Sequence, residues 1–263
     1  MGNPKVVILC GGMGTRLKEE TEFKPKPLVS VGGKPILWHI MKIYSSYGFN
    51  DFILCLGYKG DMIKQYFLNY ESQSYDFTLN LKSKMLKTYD KDKVPDWKIT
   101  FVDTGLHSNT GARIKKIEKY IDGERFFLTY GDGVANVNIG RLLEFHKDHG
   151  RIGTVTTVRP STRFGNLTID EKNRITDFTK KTLMHEGWID GGFFVFESAI
   201  FDYLSEDEDC MLEDKPLKQL AADCQFVSFK HKGYWQCMDT YRDYLHLNDI
   251  WDSGAAAWKL WKD

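Results

Sequence analysis

The chain has 263 residues, and its 36 Lys and Arg residues balance its 36 Asp and Glu residues, so the formal net charge is zero. This length allows one large α/β domain or two small ones. A nucleic-acid binder usually carries a basic excess, which this chain lacks, so no nucleic-acid partner is expected.

The cysteines and the apolar runs suggest a cellular setting. Five cysteines without a C-x-x-C pair favour a reducing cytoplasm over a disulfide framework or a zinc ribbon. No apolar run reaches membrane-spanning length, and the first five residues lack the apolar region of a signal peptide. We therefore expect a cytoplasmic protein without a membrane partner.

Strands and helices alternate in the first half of the sequence, which is typical of a parallel, doubly wound sheet. The predicted strands are Val6–Cys10, Asp51–Leu56, Lys98–Val102 and Arg125–Tyr130. The predicted helices are Pro35–Tyr47, Asp61–Tyr70, Ile114–Ile121 and Ile139–His149.

Short strands joined by turns dominate the second half and predict an antiparallel or mixed extension of that sheet. These strands are Thr154–Val158, Gly165–Asp170, Arg174–Phe178, Trp188–Phe196, Phe226–Lys230 and Tyr234–Cys237, with helices at Pro216–Ala222 and Tyr241–Lys259. The simplest organisation is a single domain over residues 1–263. Residues 1–150 would form a nucleotide-binding half, and residues 151–263 would complete the site and include the C-terminal helix.

A glycine-rich loop follows the first predicted strand and reads L-C-G-G-M-G-T-R-L from Leu9 to Leu17. It matches neither the P-loop nor the dinucleotide-binding fingerprint, because the required later glycines are missing. Glycines still allow the backbone to approach an anion, and Arg16 adds a fork of donors suited to phosphate. The alternative is a tight turn with a solvated arginine.

Two lysines that each precede a proline come next, in the segment Phe23–Leu28 (F-K-P-K-P-L). The prolines fix φ and make the segment stiff, which lowers the entropy cost of holding a lysine at a phosphate. Solvated loop lysines are the alternative.

These motifs together resemble the signature of the sugar nucleotidyltransferases: G-G-x-G-T-R-L, then K-P-K-P-L-V, then G-G-K-P-I-L. The resemblance covers nearly the whole chain and implies a Rossmann-like fold of the nucleotide-diphospho-sugar transferase type, with a mixed sheet. Within the family it is nearest to the enzymes that use CTP and glucose 1-phosphate. The stretches that carry this nearer likeness include Trp38–Gly48, Leu56–Gly60 and Val102–Lys115.

The family resemblance implies Mg²⁺-dependent nucleotidyl transfer, with the metal held by Asp132 and Asp239. Asp132 follows the predicted strand Arg125–Tyr130, at the end where α/β folds bind ligands. From the residues alone, Asp132 could be a turn aspartate and Asp239 the cap of the last helix.

The resemblance also assigns the remaining site residues position by position. Arg16, Lys26, Asp132 and Asp239 would be catalytic, with Lys26 neutralising the α-phosphate. The other expected nucleotide-binding residues are Leu9, Gly11, Gly12, Gly14, Thr15, Thr110, Gly111 and Arg113. Arg113 would reach the phosphates or the pyrimidine, and Thr110 and Gly111 would lie near the base.

One family motif departs from the pattern on the acceptor side. Relatives typically read E-K-P where this chain has Lys180-Lys181-Thr182. Lys181 matches the family lysine, but Lys180 replaces a glutamate that usually holds sugar hydroxyls, and a lysine cannot accept hydrogen bonds. Asp190, where relatives commonly carry Asn, is a candidate replacement. The expected sugar-phosphate-binding residues are Gly165, Lys180, Lys181, Asp190 and Gly191.

Other functions remain open at this point. One is nucleotidyl transfer to a different sugar 1-phosphate or another phosphorylated acceptor. Another is a non-catalytic nucleotide-binding domain, although the motif residues of an active enzyme are present. An NAD-dependent enzyme is disfavoured, because no acidic residue ends the second strand. Members of the family are commonly oligomers, so a homo-oligomer is expected.

Overall fold

The computed structural model describes residues 3–89, 91–159, 166–169, 171, 174–179 and 187–262. The α-helices are α1 (Lys18–Thr21), α2 (Ile36–Ser45), α3 (Gly60–Leu68), α4 (Tyr70–Ser74), α5 (Thr110–Lys115), α6 (Ile139–His149), α7 (Lys215–Ala222) and α8 (Tyr241–Asp252). The strands that form the central sheet are β1 (Lys5–Leu9), β4 (Asp51–Leu56), β7 (Lys98–Asp103), β8 (Arg125–Tyr130), β10 (Gly153–Val158), β13 (Ile189–Glu197) and β14 (Phe226–Lys230). The strands outside it are β2 (Ser30–Val31), β3 (Lys34–Pro35), β5 (Phe77–Leu79), β6 (Leu86–Thr88), β9 (Gly133–Ala135), β11 (Asn166–Ile169), β12 (Ile175–Thr179) and β15 (Trp235–Cys237).

The central sheet has seven strands in the order β14-β10-β13-β8-β1-β4-β7. β1 pairs in parallel with β4 and β8, and β4 pairs in parallel with β7. β13 runs antiparallel to both β8 and β10, and β14 returns parallel to β10. The prediction of a mixed sheet is therefore confirmed, with β13 as the strand that reverses direction.

Both faces of this sheet are covered, as the alternation along β1 shows. Val6 and Ile8 belong to the hydrophobic core on one face, whereas Val7 and Leu9 belong to the core on the other face. Successive side chains of a strand point to opposite faces, so a strand covered on both sides is apolar throughout. The apolar run of β1 is thus explained by a doubly wound arrangement.

Strands from before and after residue 150 share the central sheet, because β8 lies beside β13. The predicted division into a nucleotide-binding half and a sugar-phosphate-binding half stays a prediction. Among the described residues, no helix is long and apolar enough to cross a membrane.

Two helix predictions were wrong in their bounds by more than two residues. The last helix ends at Asp252 rather than Lys259, because Gly254 adopts a φ of 72° and turns the chain. Trp258 then folds back and is fully buried in the core. The helix predicted at Ile114–Ile121 begins at Thr110 and ends at Lys115, and a separate 3₁₀ turn covers Glu118–Tyr120.

Candidate active site

A cavity of about 360 Å³ opens at the carboxyl ends of β1 and β8. Parallel strands of α/β folds place their ligand sites at this edge. The predicted residues that line the cavity are Leu9, Gly11, Gly12, Gly14, Thr15, Arg16, Lys26, Thr110, Arg113, Asp132 and Asp239. Residues that are far apart in the sequence therefore share one wall.

The centre of this wall is an ion cluster around Lys26. The Lys26 ammonium donates to Asp132 Oδ2 at 2.7 Å and to Asp239 Oδ1 at 2.9 Å. Burial disfavours the charged ammonium, but the two carboxylates outweigh that effect and raise the pKa of Lys26 above its usual value. Arg16 also pairs with Asp239, through a side chain that is otherwise exposed.

The two carboxylates are brought together by a short antiparallel pair of strands. β9 pairs with β15, with Gly133 opposite Cys237. Asp132 comes directly before β9, and its carbonyl accepts a hydrogen bond from Met238 N–H at 2.8 Å. In an antiparallel pair, the start of one strand lies beside the end of the other. Asp132, just before β9, and Asp239, just after β15, therefore lie at the same end of the pair.

Lys26 reaches these carboxylates from a rigid turn. Residues Lys26–Leu28 form a 3₁₀ helix, which the backbone bond from Leu28 N–H to Pro25 O closes at 2.8 Å. Pro25 is extended, with a ψ of 149°, and its φ of −68° is the value that its ring fixes. The prolines fix the path of the chain on both sides of the lysine.

The N-cap of α8 is Thr240 and not Asp239, the alternative that the sequence left open. Thr240 is the N-cap of α8, and its hydroxyl accepts a hydrogen bond from the backbone N–H of Asp243. The Asp243 carboxylate in turn accepts from the N–H of Thr240 at 2.9 Å, which completes a capping box. Asp239 is thereby left to face the cavity.

The glycines of the loop have different structural reasons. Gly14 has a φ of 64°, a backbone conformation that residues other than glycine rarely adopt. A Cβ at Gly11 would lie 2.2 Å from Arg113 Nη1, so the guanidinium itself excludes a side chain. A Cβ at Gly12 would meet nothing within 4 Å, so Gly12 faces open space at the cavity.

Arg113 lines the cavity but is 4% exposed, and its guanidinium donates to protein oxygens that include Gly11 O and Gly105 O. Its expected direct contact with a nucleotide stays a prediction. Gly111 packs against a neighbouring segment, where a Cβ would lie 2.7 Å from Cys210 Sγ.

Two carboxylates flank the hydroxyl of Tyr130, and one of them belongs to Asp190, a predicted sugar-phosphate-binding residue. This hydroxyl lies 2.6 Å from Glu213 Oε1 and 3.2 Å from Asp190 Oδ2. Asp190 Oδ1 also accepts a hydrogen bond from the N–H of Gly192 at 2.6 Å. An ionised carboxylate has about four lone-pair sites, so Asp190 can still accept a further hydrogen bond from a ligand. Asp190 and Gly191 are not among the residues that line the cavity, and the Gly191 carbonyl accepts a hydrogen bond from Trp235 Nε1 at 2.7 Å.

Three predicted residues of the acceptor side, Gly165, Lys180 and Lys181, lie outside the described residues. Their roles stay predictions.

Several residues at the site were missed by the sequence reasoning. Those that line the cavity are Cys10, Pro27, Ser108, Asn109, Tyr130 and Gly131. Each is adjacent in sequence to a predicted site residue or motif, so a wider window around the motifs would have included it. Glu213 gave no such signal, although its carboxylate accepts from Thr110 Oγ1 at 2.5 Å and from Tyr130.

The residues present fit a divalent cation that is completed by substrate oxygens. The Asp132 and Asp239 carboxylates converge on one point, at present the Lys26 ammonium. Within the described part of the chain, no group of three or more His, Cys, Asp or Glu residues is arranged to hold a metal. Two carboxylates with phosphate oxygens and water are a common ligand set for Mg²⁺.

Comparison with known proteins identifies the family. The family model described as nucleotidyl transferase matches residues 5–253. The chain belongs to this family. It is 47% identical to a probable glucose-1-phosphate cytidylyltransferase of Bacillus subtilis, over 98% of this chain and 100% of that protein.

Other relatives extend the comparison to an enzyme and a solved structure. The glucose-1-phosphate cytidylyltransferase of Salmonella typhi is 46% identical, over 98% of this chain and all of that protein. The crystal structure of HddC from Yersinia pseudotuberculosis has a TM-score of 0.69 at 25% identity, over 95% of this chain and 100% of that one. Nucleotidyltransferases of this family generally use a divalent metal, consistent with the paired carboxylates.

Replacing the cap of α8 is expected to destabilise the protein. In Thr240→Ala the N–H of Asp243 loses its acceptor, so the free energy of unfolding should fall by about 1 kcal/mol. Urea unfolding followed by circular dichroism measures this difference. Thr240→Ser is the matched control, because serine also caps helices, and an unchanged stability in Thr240→Ala would contradict the assignment.

Proposed function

We propose that the protein transfers the cytidylyl group of CTP to glucose 1-phosphate, giving CDP-glucose and pyrophosphate. The names of the relatives that match over the full length support this substrate pair. The structural observation that carries the proposal is the placement of Lys26 between Asp132 and Asp239 beside the glycine loop. The nucleotide and the sugar phosphate are the expected partners.

The chemistry needs no nucleophile from the protein. An oxygen of the sugar phosphate attacks the α-phosphorus of CTP, and the bond to the leaving pyrophosphate breaks. Both reactants are anions, so the site has to neutralise charge and align the two groups. We expect Lys26 to neutralise the α-phosphate, and Arg16, which lines the cavity with a largely exposed side chain, to contact the oxygens of the pyrophosphate.

Mg²⁺ is the proposed cofactor, with Asp132 and Asp239 as its protein ligands. When bound, it would supply positive charge to the phosphate oxygens and help to hold them in position. The glycine loop from Gly11 to Gly14 offers backbone N–H groups to the remaining phosphate oxygens, as anion-binding loops do.

The acceptor is proposed to contact Asp190, whose carboxylate oxygens keep lone pairs that can accept a hydrogen bond from a sugar hydroxyl. Lys181 would contact the sugar phosphate. An acceptor with a further anionic group is the second candidate, because Lys180 occupies the position of the usual family glutamate. A homo-oligomeric state and a cytoplasmic location are further proposals, inherited from the sequence expectations.

The substrate pair is tested by pyrophosphate release, with CTP, UTP, dTTP, ATP and GTP each combined with glucose 1-phosphate and Mg²⁺. We expect kcat/KM for CTP to exceed that for the other nucleotides by about 100-fold, within the range that polar recognition provides.

The other outcomes of this assay separate the two halves of the proposal. Binding of CTP without release would refute glucose 1-phosphate as the acceptor, and doubly anionic acceptors would then be compared. No binding of any nucleotide would refute the nucleotide site itself.

Loss of one proposed metal ligand should remove most of the activity. Asp239→Asn keeps the size of the side chain but removes its charge, and we expect kcat to fall by about 100-fold or more. Steady-state assays over a range of Mg²⁺ concentrations measure this change. The matched control is Asp249→Asn, an exposed aspartate on α8, and equal losses in both variants would contradict the ligand assignment.

The acceptor affinity should depend on pH through Asp190. Desolvation is the main cause that raises the pKa of Asp190 to about 6, opposed by hydrogen bonds from Gly192 N–H and Tyr130, and the Glu213 carboxylate adds to the rise. Above this pKa the carboxylate accepts a sugar hydroxyl, and below it protonation removes one acceptor. KM for glucose 1-phosphate should therefore increase several-fold as the pH falls through about 6.

Asp190→Asn is the control for this measurement. A phosphate monoester has its own second pKa near about 6, and that contribution persists in the variant. The ratio of the two KM values should therefore change with pH, and a constant ratio would contradict the role of Asp190.

A further inference from the structure

The two terminal nitrogens of the Arg113 guanidinium are occupied by the protein. Its two terminal nitrogens carry four hydrogens between them and face five oxygen acceptors. Nη1 donates to Leu56 O at 3.0 Å, Thr104 Oγ1 at 2.7 Å and Gly105 O at 2.7 Å, and Nη2 donates to Gly11 O and Leu106 O, each at 3.2 Å. No hydrogen of these two nitrogens is left over for a ligand in this arrangement.

These acceptors lie on three separate segments at the same edge of the sheet. Gly11 belongs to the glycine loop after β1, Leu56 ends β4, and the loop from Thr104 to Leu106 follows β7. Arg113 itself lies on α5, whose first residue, Thr110, lines the cavity. The guanidinium therefore cross-links the loops that surround the nucleotide cavity.

The direction of the Gly11 carbonyl fixes the direction of the next amide. In a trans peptide, the carbonyl and the following N–H point in opposite directions. Because Gly11 O faces Arg113, the N–H of Gly12 points away from it. A Cβ on Gly12 would meet nothing within 4 Å, so this residue borders open space.

We propose that Arg113 is a positioning residue for the nucleotide and does not contact it. By holding Gly11 O, the buried guanidinium keeps the glycine loop in the shape that presents its N–H groups to phosphate before CTP arrives. Preformed donors bind more tightly because less ordering accompanies binding. This role rests on the proposed function, since it concerns the same nucleotide site.

The two neighbouring glycines provide an internal test. An alanine Cβ at position 11 would collide with Arg113 Nη1 at 2.2 Å, whereas one at position 12 would collide with no protein atom. If Arg113 and Gly11 act as a unit, the effects of their substitutions should not add. Gly12 is the matched control, because its substitution would affect the nucleotide without involving Arg113.

The experiment compares Gly11→Ala, Gly12→Ala and Arg113→Ala with the two double variants that contain Arg113→Ala. Binding of CTP is measured by calorimetry, and the unfolding temperature by differential scanning. Arg113→Ala should weaken CTP binding about tenfold. Removing a residue that orients a metal ligand typically lowers affinity or activity about 10- to 100-fold, and we expect the lower end of that range here. Adding Gly11→Ala should cause little further loss in binding or unfolding temperature, whereas adding Gly12→Ala should cause its full separate loss in binding.

Kinetics separate positioning from a general loss of structure. Arg113→Ala should raise KM for CTP and leave KM for the sugar phosphate unchanged. Arg125→Ala, on β8 and outside the cavity lining, is the control for the loss of an arginine and should change neither KM. If Arg113→Ala does not fold, Arg113→Lys retains the charge but not the planar fork, and the same rise in KM for CTP is expected.

Two results would overturn the proposal, and they can be told apart. Normal CTP binding by the unaltered protein, with fully additive losses in the Gly11→Ala/Arg113→Ala variant, would refute the positioning role alone. Absence of CTP binding by the unaltered protein would refute the proposed function and the positioning role with it.

Discussion

The ammonium of Lys26 holds together two carboxylates that would otherwise repel each other. Asp132 and Asp239 come from separate parts of the chain, and their side chains meet at the cavity wall only because β9 and β15 pair. Like charges at such short range each raise the cost of ionising the other, and a shared cation removes that cost. The rigid turn around Lys26 therefore completes a site that the strand pair begins.

This arrangement also suits the proposed reaction. The same two carboxylates could take a divalent cation in place of the ammonium, since both are oxygen donors that face one point. Lys26 would then be released towards the incoming phosphate. In this interpretation the charges of Arg16 and Lys26 balance those of Asp132 and Asp239 before the nucleotide binds. When the cation takes the carboxylates, the positive charge of Lys26 becomes available to the phosphates.

The sequence predicted the central architecture because its strands are buried on both faces and therefore strongly apolar. The segments Asp51–Leu56 and Arg125–Tyr130 have the predicted bounds. The last helix was predicted too long, because its aromatic residues continue beyond Gly254, where the positive φ ends any helical path. Periodic apolar residues do not show whether the chain continues as a helix or folds back onto the core.

The site was predictable to a different degree in each of its parts. The glycine loop and the two lysines followed from local composition, whereas the pairing of Asp132 with Asp239 came from the family resemblance and not from their spacing. The partners of Arg113 had no sequence signal, because backbone carbonyls are present at every residue. Glu213 was missed for a similar reason, since one acidic residue in a polar loop resembles a solvated charge.

The net charge of the side chains that line the cavity bears on nucleotide binding. Three cationic side chains, Arg16, Lys26 and Arg113, line it together with two carboxylates, which leaves a formal excess of one positive charge. A free triphosphate carries more negative charge than this excess can neutralise, so a divalent cation between the carboxylates and the phosphates would restore the balance. Arg113 adds its charge from beneath the loop, surrounded by carbonyl dipoles that solvate it without cancelling it. In the proposed mechanism the two tasks are separate: buried Arg113 shapes the loop, and the largely buried ion cluster around Lys26 exchanges partners as the nucleotide binds.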